Sequence, residues 1–249
     1  MIYADEQLDD LQLNNLFLIQ KKTGFRFGVD AVLLSDFAKD TLSKRTLDLC
    51  TGTGIVALLL SAKTKTPEIC ALEIQPQIAD MARRSVAYNS LSERITVSEG
   101  DLKNAVQQYG KGSFDKITCN PPYMKKDSAL KNDSDSIAVS RHEILCTLED
   151  VIRVSAELLI PKGRFYMVHR PARLTDILCL MRKYKIEPKR LRFVAPRPGK
   201  EPNLLLIEGM RNGKAELRLM KQLYIFDEDG QYSQEINEIY NRESSAPER

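Results

Sequence analysis

The sequence lacks three common signals, and each absence excludes a class of protein. Its five cysteines form no CxxC pair, which argues against a zinc site or a disulfide framework. We therefore expect the cysteines to serve as small hydrophobic residues of the core. Its longest strongly apolar run, residues 55–62, is far shorter than the roughly 18 residues of a bilayer span, so no membrane helix is expected. The N-terminus, MIYADEQLDD, is acidic where a secretory signal is basic, which favours a cytoplasmic protein.

The composition is otherwise ordinary, but the charge is polarised along the chain. Hydrophobic residues make up 43% and charged residues 29% of the 249 residues, which excludes a wholly disordered chain. The net charge is only +3, yet residues 162–200 hold twelve Lys or Arg against Asp176 and Glu187. From residue 216 onward, eight acidic residues outnumber four basic ones. A basic segment of this kind favours a polyanionic partner such as nucleic acid.

From residue 46 onward, short apolar runs alternate with longer periodic stretches, which is the pattern of an α/β protein with a parallel sheet. The link PRPGKEP, residues 196–202, is too short and too rich in proline for a helix, so the strands on either side of it pair antiparallel. We therefore expect a seven-stranded, mostly parallel sheet with an antiparallel edge hairpin. The strands are predicted at 46–50, 68–73, 95–99, 114–119, 163–169, 190–195 and 203–208. Helices are predicted at 31–39 with Asp30 as cap, 55–64, 76–89, a short one from 101, 143–159 and 173–184, with a long loop at 124–141.

The first motif that indicates chemistry is LDLCTGTGIVALLL, in which a strand leads through glycines into a helix. Gly52 and Gly54 let the backbone turn tightly and let a ligand approach the helix N-terminus, which is typical of a nucleotide site. Together with Ala57 they also satisfy the dinucleotide pattern G-x-G-x-x-[GA]. This motif alone therefore does not separate a nicotinamide enzyme from an S-adenosylmethionine enzyme.

Two carboxylates follow the next two strands. Glu73 ends the second strand, 21 residues beyond Gly52, where it can accept hydrogen bonds from the hydroxyls of a ribose. Asp101 follows the third strand, where it can accept from an adenine amino group or can cap the short helix that begins there. The sequence favours neither role of Asp101 over the other.

The most informative motif is NPPY, residues 120–123, at the end of the fourth strand. Its two prolines remove backbone donors and stiffen the chain, which leaves carbonyl oxygens directed into a crevice at the sheet edge. The Asn120 side-chain oxygen and the Pro121 carbonyl can both accept from one NH2 group, and Tyr123 offers a ring on which a planar base can stack. The pattern predicts a pocket for an exocyclic amine.

In this order, DLCTGTG, Glu73 and NPPY resemble the class I S-adenosylmethionine-dependent methyltransferases that modify amino groups. Within that class, GFRFGVDAVLLSDFA, SRHE and PRPGKEPN resemble the bacterial tRNA(Val) adenosine-37 N6-methyltransferase group. The resemblance implies a Rossmann-like fold, S-adenosyl-L-methionine as cofactor, and methylation of an anticodon-loop adenosine in tRNA. It also implies a leader at 1–45 that packs near the active site, a methyltransferase domain at 46–212 and a C-terminal extension at 213–249.

The resemblance also assigns roles to individual residues. Phe27 has core packing as an equal alternative, and Arg141 and His142 are expected to be structural or to contact RNA. No metal site is implied. Catalysis is assigned to Asn120, Pro121, Pro122 and Tyr123. Cofactor binding is assigned to Arg26, Phe27, Asp48, Thr51, Gly52, Gly54, Glu73, Ile74, Asp101, Leu102 and Asn120, with Asp30 beside the site.

Other functions remain open on the sequence. Relatives with NPPY modify guanine N2 in rRNA, adenine N6 in DNA or glutamine in proteins, and the basic segment favours RNA over protein. A nicotinamide-dependent oxidoreductase would have no use for NPPY, and an intact NPPY argues against a noncatalytic RNA-binding protein. Phosphates of the RNA are expected to lie on the basic cluster around the final hairpin, above all on Arg190, Arg192, Arg197 and Lys200.

Overall fold

The fold is built on one large sheet, seen in a computed structural model that describes residues 1–23, 27–122 and 146–241. In these ranges the sheet has nine strands, and a separate two-stranded sheet precedes it. The small sheet consists of β1 (Glu6–Asp10) and β2 (Phe17–Lys21). The large sheet consists of β3 (Arg45–Leu49), β4 (Glu68–Glu73), β5 (Ile95–Glu99), β6 (Phe114–Cys119), β7 (Leu159–His169), β8 (Ile186–Ala195), β9 (Leu204–Arg211), β10 (Arg218–Leu219) and β11 (Leu223–Tyr224).

The strand order is β10-β8-β9-β7-β6-β3-β4-β5, and β11 also pairs with β8. Strands β3 to β7 run parallel, whereas β9 lies antiparallel between β7 and β8. The predicted class I fold is confirmed, and all seven predicted strands are present. The antiparallel hairpin is not the outermost element, because β10 and β11 add to β8. These two strands have two residues each, too few to give a periodic pattern.

The helices cover both faces of the sheet. They are α1 (Val29–Phe37), α2 (Ile55–Lys63), α3 (Pro76–Tyr88), α4 (Ala105–Tyr109), α5 (Leu148–Leu158), α6 (Leu174–Lys183) and α7 (Gln234–Ile239). One hydrophobic core contains residues of α1, α2 and α7, and the other contains residues of α4, α5 and α6. Within β4, Ile69 and Ala71 face the first core and Cys70 and Leu72 face the second. Burial on both faces explains the continuous apolar run of β4 between Glu68 and Glu73.

Two helix starts differ from the predictions. Helix α1 begins at Val29 rather than at residue 31, so Asp30 lies in its first turn and is not its cap. The Asp30 carboxylate accepts from the neighbouring Ala31 N–H at 2.9 Å, and Gly28 occupies the cap position. Helix α5 begins at Leu148 because Thr147 and Asp150 form a reciprocal capping box. Residues 143–145, which the pattern placed in that helix, lie outside the described ranges.

The hairpin β1–β2 packs on helix α3. Its backbone donates from Phe17 to the Asn89 side chain and from Ile19 to the Ser85 hydroxyl, both at 2.9 Å. A two-pronged ion pair joins Glu6 to Arg84, with both nitrogen-to-oxygen distances at 2.7 Å. The Arg84 hydrogen bonds lower the pKa of the buried Glu6 carboxyl to about 2. The hairpin of the leader therefore joins the fold through α3 and helix α1 joins it through the first core, while the division at residues 45 and 212 stays a prediction.

This ion pair predicts an acid-sensitive fold. Glu6→Ala should lower the free energy of unfolding at pH 7 by about 3 kcal/mol, because it leaves a half-paired guanidinium in a buried site. The pKa of Glu6 is lower in the folded than in the unfolded chain, so its contribution is complete above the ordinary carboxyl pKa of 4.5 and is lost as the pH falls toward 2. Urea titrations at pH 7 and pH 2.5 should therefore show the difference between wild type and variant shrink. The exposed Glu93 provides the control Glu93→Ala, and an equal loss in both variants would contradict the prediction.

None of the helices in the described ranges combines the length and the apolar character that a bilayer span requires.

Candidate active site

Four of the predicted site groups follow neighbouring parallel strands. The register pairs Leu49 of β3 with Leu72 of β4 and with Cys119 of β6, and it pairs Glu73 with Glu99 at the end of β5. The carboxyl ends of these strands therefore meet at one edge of the sheet, where ligands bind in open α/β sheets. The structure brings together at this edge the glycine loop after β3, Glu73, Asp101 and Asn120.

The glycine loop turns sharply between β3 and α2. Cys50, Gly52 and Gly54 have positive φ angles of 56°, 57° and 88°. A Cβ on Gly54 would lie 3.3 Å from the Ala82 Cβ, whereas a Cβ on Gly52 would have no heavy atom within 4 Å. Gly54 is thus needed for close packing of the loop on α3. Gly52 leaves open space beside the backbone, which a ligand can occupy at the start of α2.

Glu73 connects the end of β4 to this loop. Its carboxylate accepts from the backbone N–H of Gly52 at 2.9 Å and from that of Gln75 at 3.0 Å. The side chain is largely buried, but an ionised carboxylate has about four acceptor positions and so can accept further hydrogen bonds. This arrangement fits a ribose whose hydroxyls donate to Glu73, which stays a proposal.

Asp48 lies beneath the glycine loop. It is 1% exposed, and its two oxygens accept from the hydroxyls of Thr51 at 2.5 Å and Thr118 at 2.7 Å. The pKa of this carboxyl is raised to about 7, mainly by burial and in smaller part by the charge of Glu73. The hydrogen bonds from the two hydroxyls act in the opposite direction and lower the pKa. We propose that Asp48 and Thr51 act on the cofactor site by holding the loop against β6. No sequence signal pointed to Thr118, because hydroxyl residues are common in strands.

The remaining cofactor residues differ in their surroundings. Asp101 accepts from Lys103 N–H at 2.9 Å and so caps the 3₁₀ turn at Leu102–Asn104, while a hydrogen bond to adenine stays a prediction. Leu102 is buried in the second core, and Ile74 is half-buried directly after Glu73. The Phe27 N–H donates to the Gln20 side chain at 3.0 Å. The Phe27 ring packs against the first core and lines a cavity of about 210 Å³ shared with Ile55, the residue after Gly54.

The NPPY motif begins where β6 ends, beside Cys50 of the glycine loop. Pro121 is buried and Asn120 and Pro122 are half-buried. The Asn120 amide hydrogen-bonds to no residue in the described part of the chain, so its oxygen is available to a substrate amine. Tyr123, Arg26, Arg141 and His142 lie outside the described ranges, and their assigned roles stay predictions.

The cysteines differ in part from the expectation. Cys70 and Cys119 are buried as predicted, but Cys50 and Cys146 are half-buried and Cys179 is exposed. Burial raises the pKa of the Cys119 thiol, and a hydrogen bond from Cys119 raises that of Cys50 well above its ordinary value. Both thiols beside Asn120 are therefore protonated at neutral pH and are poor nucleophiles. Among the described residues, no group of three or more His, Cys, Asp or Glu side chains is arranged to hold a metal ion.

Comparison with known proteins decides between the chemistries that a glycine loop allows. The model of the methyltransferase small domain family matches residues 28–178. The chain belongs to this family. The methyltransferase is 33% identical over 195 residues to the tRNA1(Val) (adenine(37)-N6)-methyltransferase of Porphyromonas gingivalis, covering 76% of each chain. It is 30% identical over 214 residues to the enzyme of that name from Aeromonas hydrophila, covering 85% of this chain and 87% of the relative.

Solved structures support the fold of the methyltransferase. A predicted O-methyltransferase from Agrobacterium tumefaciens superposes with a TM-score of 0.70 at 22% identity, covering 88% of this chain and 100% of the other. The tRNA m1G37 methyltransferase of Methanocaldococcus jannaschii superposes with a TM-score of 0.58 at 14% identity, covering 84% and 58%. The predicted methyltransferase class is confirmed, with S-adenosylmethionine as methyl donor. The alternative of a nicotinamide-dependent oxidoreductase is not supported.

Proposed function

We propose that this enzyme transfers the methyl group of S-adenosylmethionine to N6 of adenosine 37 in the anticodon loop of a valine tRNA. The proposal rests above all on relatives of 30% to 33% identity over most of the chain whose names carry this activity. The position of Asn120 and Pro121 beside the glycine loop supports it, because acceptors there suit an exocyclic amine. A tRNA substrate also implies an enzyme that works in the cytoplasm.

The residues at the sheet edge fit the cofactor. The open backbone at Gly52 and the start of α2 suit its carboxylate-bearing end, Glu73 suits its ribose hydroxyls and Asp101 suits its adenine amino group. When bound, S-adenosylmethionine supplies a methyl group on a positively charged sulfur, which is an electrophile that needs no metal. Asp48 and Thr51 keep the glycine loop in the conformation that this binding requires.

The target amine needs help because its lone pair is delocalised into the adenine ring. The Asn120 side-chain oxygen and the Pro121 carbonyl each accept one N6 hydrogen in our proposal, which favours a pyramidal nitrogen with a free lone pair. Such acceptors suit the transition state better than the flat ground state and therefore raise the rate rather than only the affinity. Alignment of the amine with the methyl group supplies most of the remaining rate enhancement. Tyr123 is expected to stack on the base.

His169, the histidine in the described ranges, is poorly suited to act as a general base. His169 lies at the end of β7, is 5% exposed and accepts from the Arg170 N–H through Nδ1 at 2.8 Å. Burial, together with the charges of Arg173 and Arg170, lowers its pKa to about 4. We propose that the N6 proton leaves to solvent after the methyl group is transferred, when the nitrogen carries a positive charge. The base itself must be unstacked to enter, which costs least in a single-stranded loop.

Radiolabelled methyl transfer to defined RNAs tests this function. We expect the purified enzyme to label a valine tRNA transcript, to fail on the same transcript with guanosine at position 37, and to yield N6-methyladenosine on nucleoside mass spectrometry. Ribosomal RNA, adenine-containing DNA and release-factor protein serve as the alternative substrates in parallel reactions. Label in one of these substrates and none in tRNA would assign the enzyme to that substrate instead.

A further inference from the structure

The C-terminal extension carries three stacked aromatic rings on the sheet edge that holds the candidate active site. The rings of Phe226 and Tyr232 are 5.2 Å apart with an interplanar angle of 18°, and those of Tyr232 and Tyr240 are 6.4 Å apart at 26°. Phe226 is 36% exposed and Tyr232 is 41% exposed. Ile225, Ile236 and Ile239 of the same segment are buried in the first core.

The topology places these rings beside the active-site edge. Strand β11 runs parallel to β8, pairing Leu223 with Val194 and Tyr224 with Ala195, so residue 226 emerges where β8 ends. The Phe226 N–H donates to the Pro196 carbonyl at 2.8 Å. Because β8 is antiparallel to β9 and β9 is antiparallel to β7, the end of β8 lies on the same edge as the ends of β3 to β7.

The rings are held on an ordered support. A bridge pairs Phe226 with Tyr232, and Ser233 caps α7 by accepting from the Ile236 N–H. Lys63 of α2 donates to the Ile239 carbonyl at 3.1 Å. Tyr240 lines the 210 Å³ cavity together with Phe27 and Ile55. The column of rings is thus fixed relative to the glycine loop, as a stacking surface has to be.

A tight basic turn follows Pro196, the residue whose carbonyl accepts from the Phe226 N–H. The Lys200 N–H donates to the Arg197 carbonyl at 3.1 Å, and Gly199 has a φ of 75°, which closes a turn over Pro198. Arg197 and Lys200 are exposed and pair with no carboxylate in the described part of the chain. By contrast, Arg190 pairs with Glu208 and lies over the Phe37 ring, and Arg192 is 2.6 Å from Glu235. The expectation that all four cations bind phosphates is therefore wrong for Arg190 and Arg192, which are engaged inside the fold.

We infer that the outer face of Phe226, with Tyr232 stacked behind it, forms a stacking platform for an unpaired nucleobase of the tRNA, with the adjacent phosphates on Arg197 and Lys200. This inference rests on the proposed function, which supplies a tRNA at this edge. Exposed rings beside unpaired cations are the combination that binds single-stranded nucleic acid. The hairpin tip at 227–229 is acidic and repels phosphates. The phosphates are therefore expected on the basic turn that carries Arg197 and Lys200. Stacking of one base on Phe226, outside the pocket for the target base, would hold the anticodon loop of the tRNA open while the target base enters that pocket.

The sequence contains no tryptophan, so Phe226→Trp creates a single fluorescent reporter at the platform. We expect this variant to keep the wild-type affinity for tRNA and its fluorescence to be quenched by tRNA and by a single-stranded RNA oligonucleotide, but not by heparin. Phe226→Ala and Phe226→Leu should raise the KM for tRNA by about tenfold through lost stacking and leave S-adenosylmethionine binding unchanged. The double variant Arg197→Ala with Lys200→Ala should reduce the steepness of the slope of log K against log salt by roughly 1.4 to 1.8.

Tyr88 gives the matched control, because it is also an exposed ring but ends α3 at the opposite edge of the sheet. Tyr88→Ala should leave the KM for tRNA unchanged. The platform would be overturned if tRNA did not quench Phe226→Trp and if Phe226→Ala kept the wild-type KM for tRNA. In that case, methylation of tRNA by the wild-type enzyme would still support the proposed function. Quenching by tRNA without any methylation of tRNA would support the platform and overturn the proposed function. Quenching by polylysine and not by tRNA would assign the rings to a basic protein segment and overturn the platform.

Discussion

Asn120→Ala is expected to lower the rate of methyl transfer by about 10²- to 10³-fold, the range seen when one preorganised polar group is removed from an active site. The affinity for S-adenosylmethionine should stay unchanged within error. The reason is the position of this side chain, which lies beyond β6 and makes no hydrogen bond in the described part of the fold. Its loss therefore removes an acceptor for the amine without disturbing Glu73 or the glycine loop.

Single-turnover methylation and calorimetry separate these two quantities. Asn120→Asp provides the informative comparison, because it keeps an acceptor oxygen while it exchanges the NH2 donor for a second, negatively charged acceptor. It should retain more activity than Asn120→Ala. A drop in cofactor affinity equal to the drop in rate would place Asn120 on the cofactor and not on the target amine. Equal rates for the Ala and Asp variants would show that the accepting oxygen is not the part of Asn120 that matters.

The sequence predicted the sheet well because burial leaves a direct signature in it. Strands β4, β7 and β9 carry apolar residues on both faces because helices cover both faces of the sheet. The glycine loop, Glu73, Asp101 and Asn120 stand at or just after the ends of β3, β4, β5 and β6. The parallel order then brings these ends to one edge without further information. The hairpin β1–β2 was missed because its strands, EQLDD and FLIQK, mix charged and apolar residues, and packing on α3 stabilises them.

The contacts within the site were harder to predict, because they join residues far apart in the sequence. Asp48 meets Thr118 across 70 positions, and Glu73 reaches back 21 positions to the Gly52 N–H. Neither pairing leaves a local pattern. The basic segment shows the same difficulty, since a count of charges does not reveal that Arg190 is matched by Glu208 while Arg197 is exposed. Composition predicts that a surface is positive, and only the fold shows which cations remain available.

Glu73→Ala is expected to weaken S-adenosylmethionine binding by about 1.5 to 3 kcal/mol, the value of hydrogen bonds to a charged group, or roughly 10- to 150-fold in Kd. Two effects add here. The carboxylate would no longer accept from the ribose, and the N–H groups of Gly52 and Gln75 would lose their acceptor, which loosens the loop. The KM for tRNA should change little, because Glu73 lies on the cofactor side of the edge. Calorimetry with S-adenosylhomocysteine measures the affinity without turnover.

A double-mutant cycle separates direct contact from loop support. Removal of the 2′- or the 3′-hydroxyl from S-adenosylhomocysteine should weaken binding to the wild-type enzyme, because Glu73 then lacks a donor. The same removal should have almost no further effect on Glu73→Ala if the carboxylate contacts that hydroxyl. If the two losses simply add, Glu73 supports binding only through Gly52 and Gln75. In that case the ribose assignment is wrong, and the role of this carboxylate is to fix the loop in the shape that the open backbone at Gly52 presents to the cofactor.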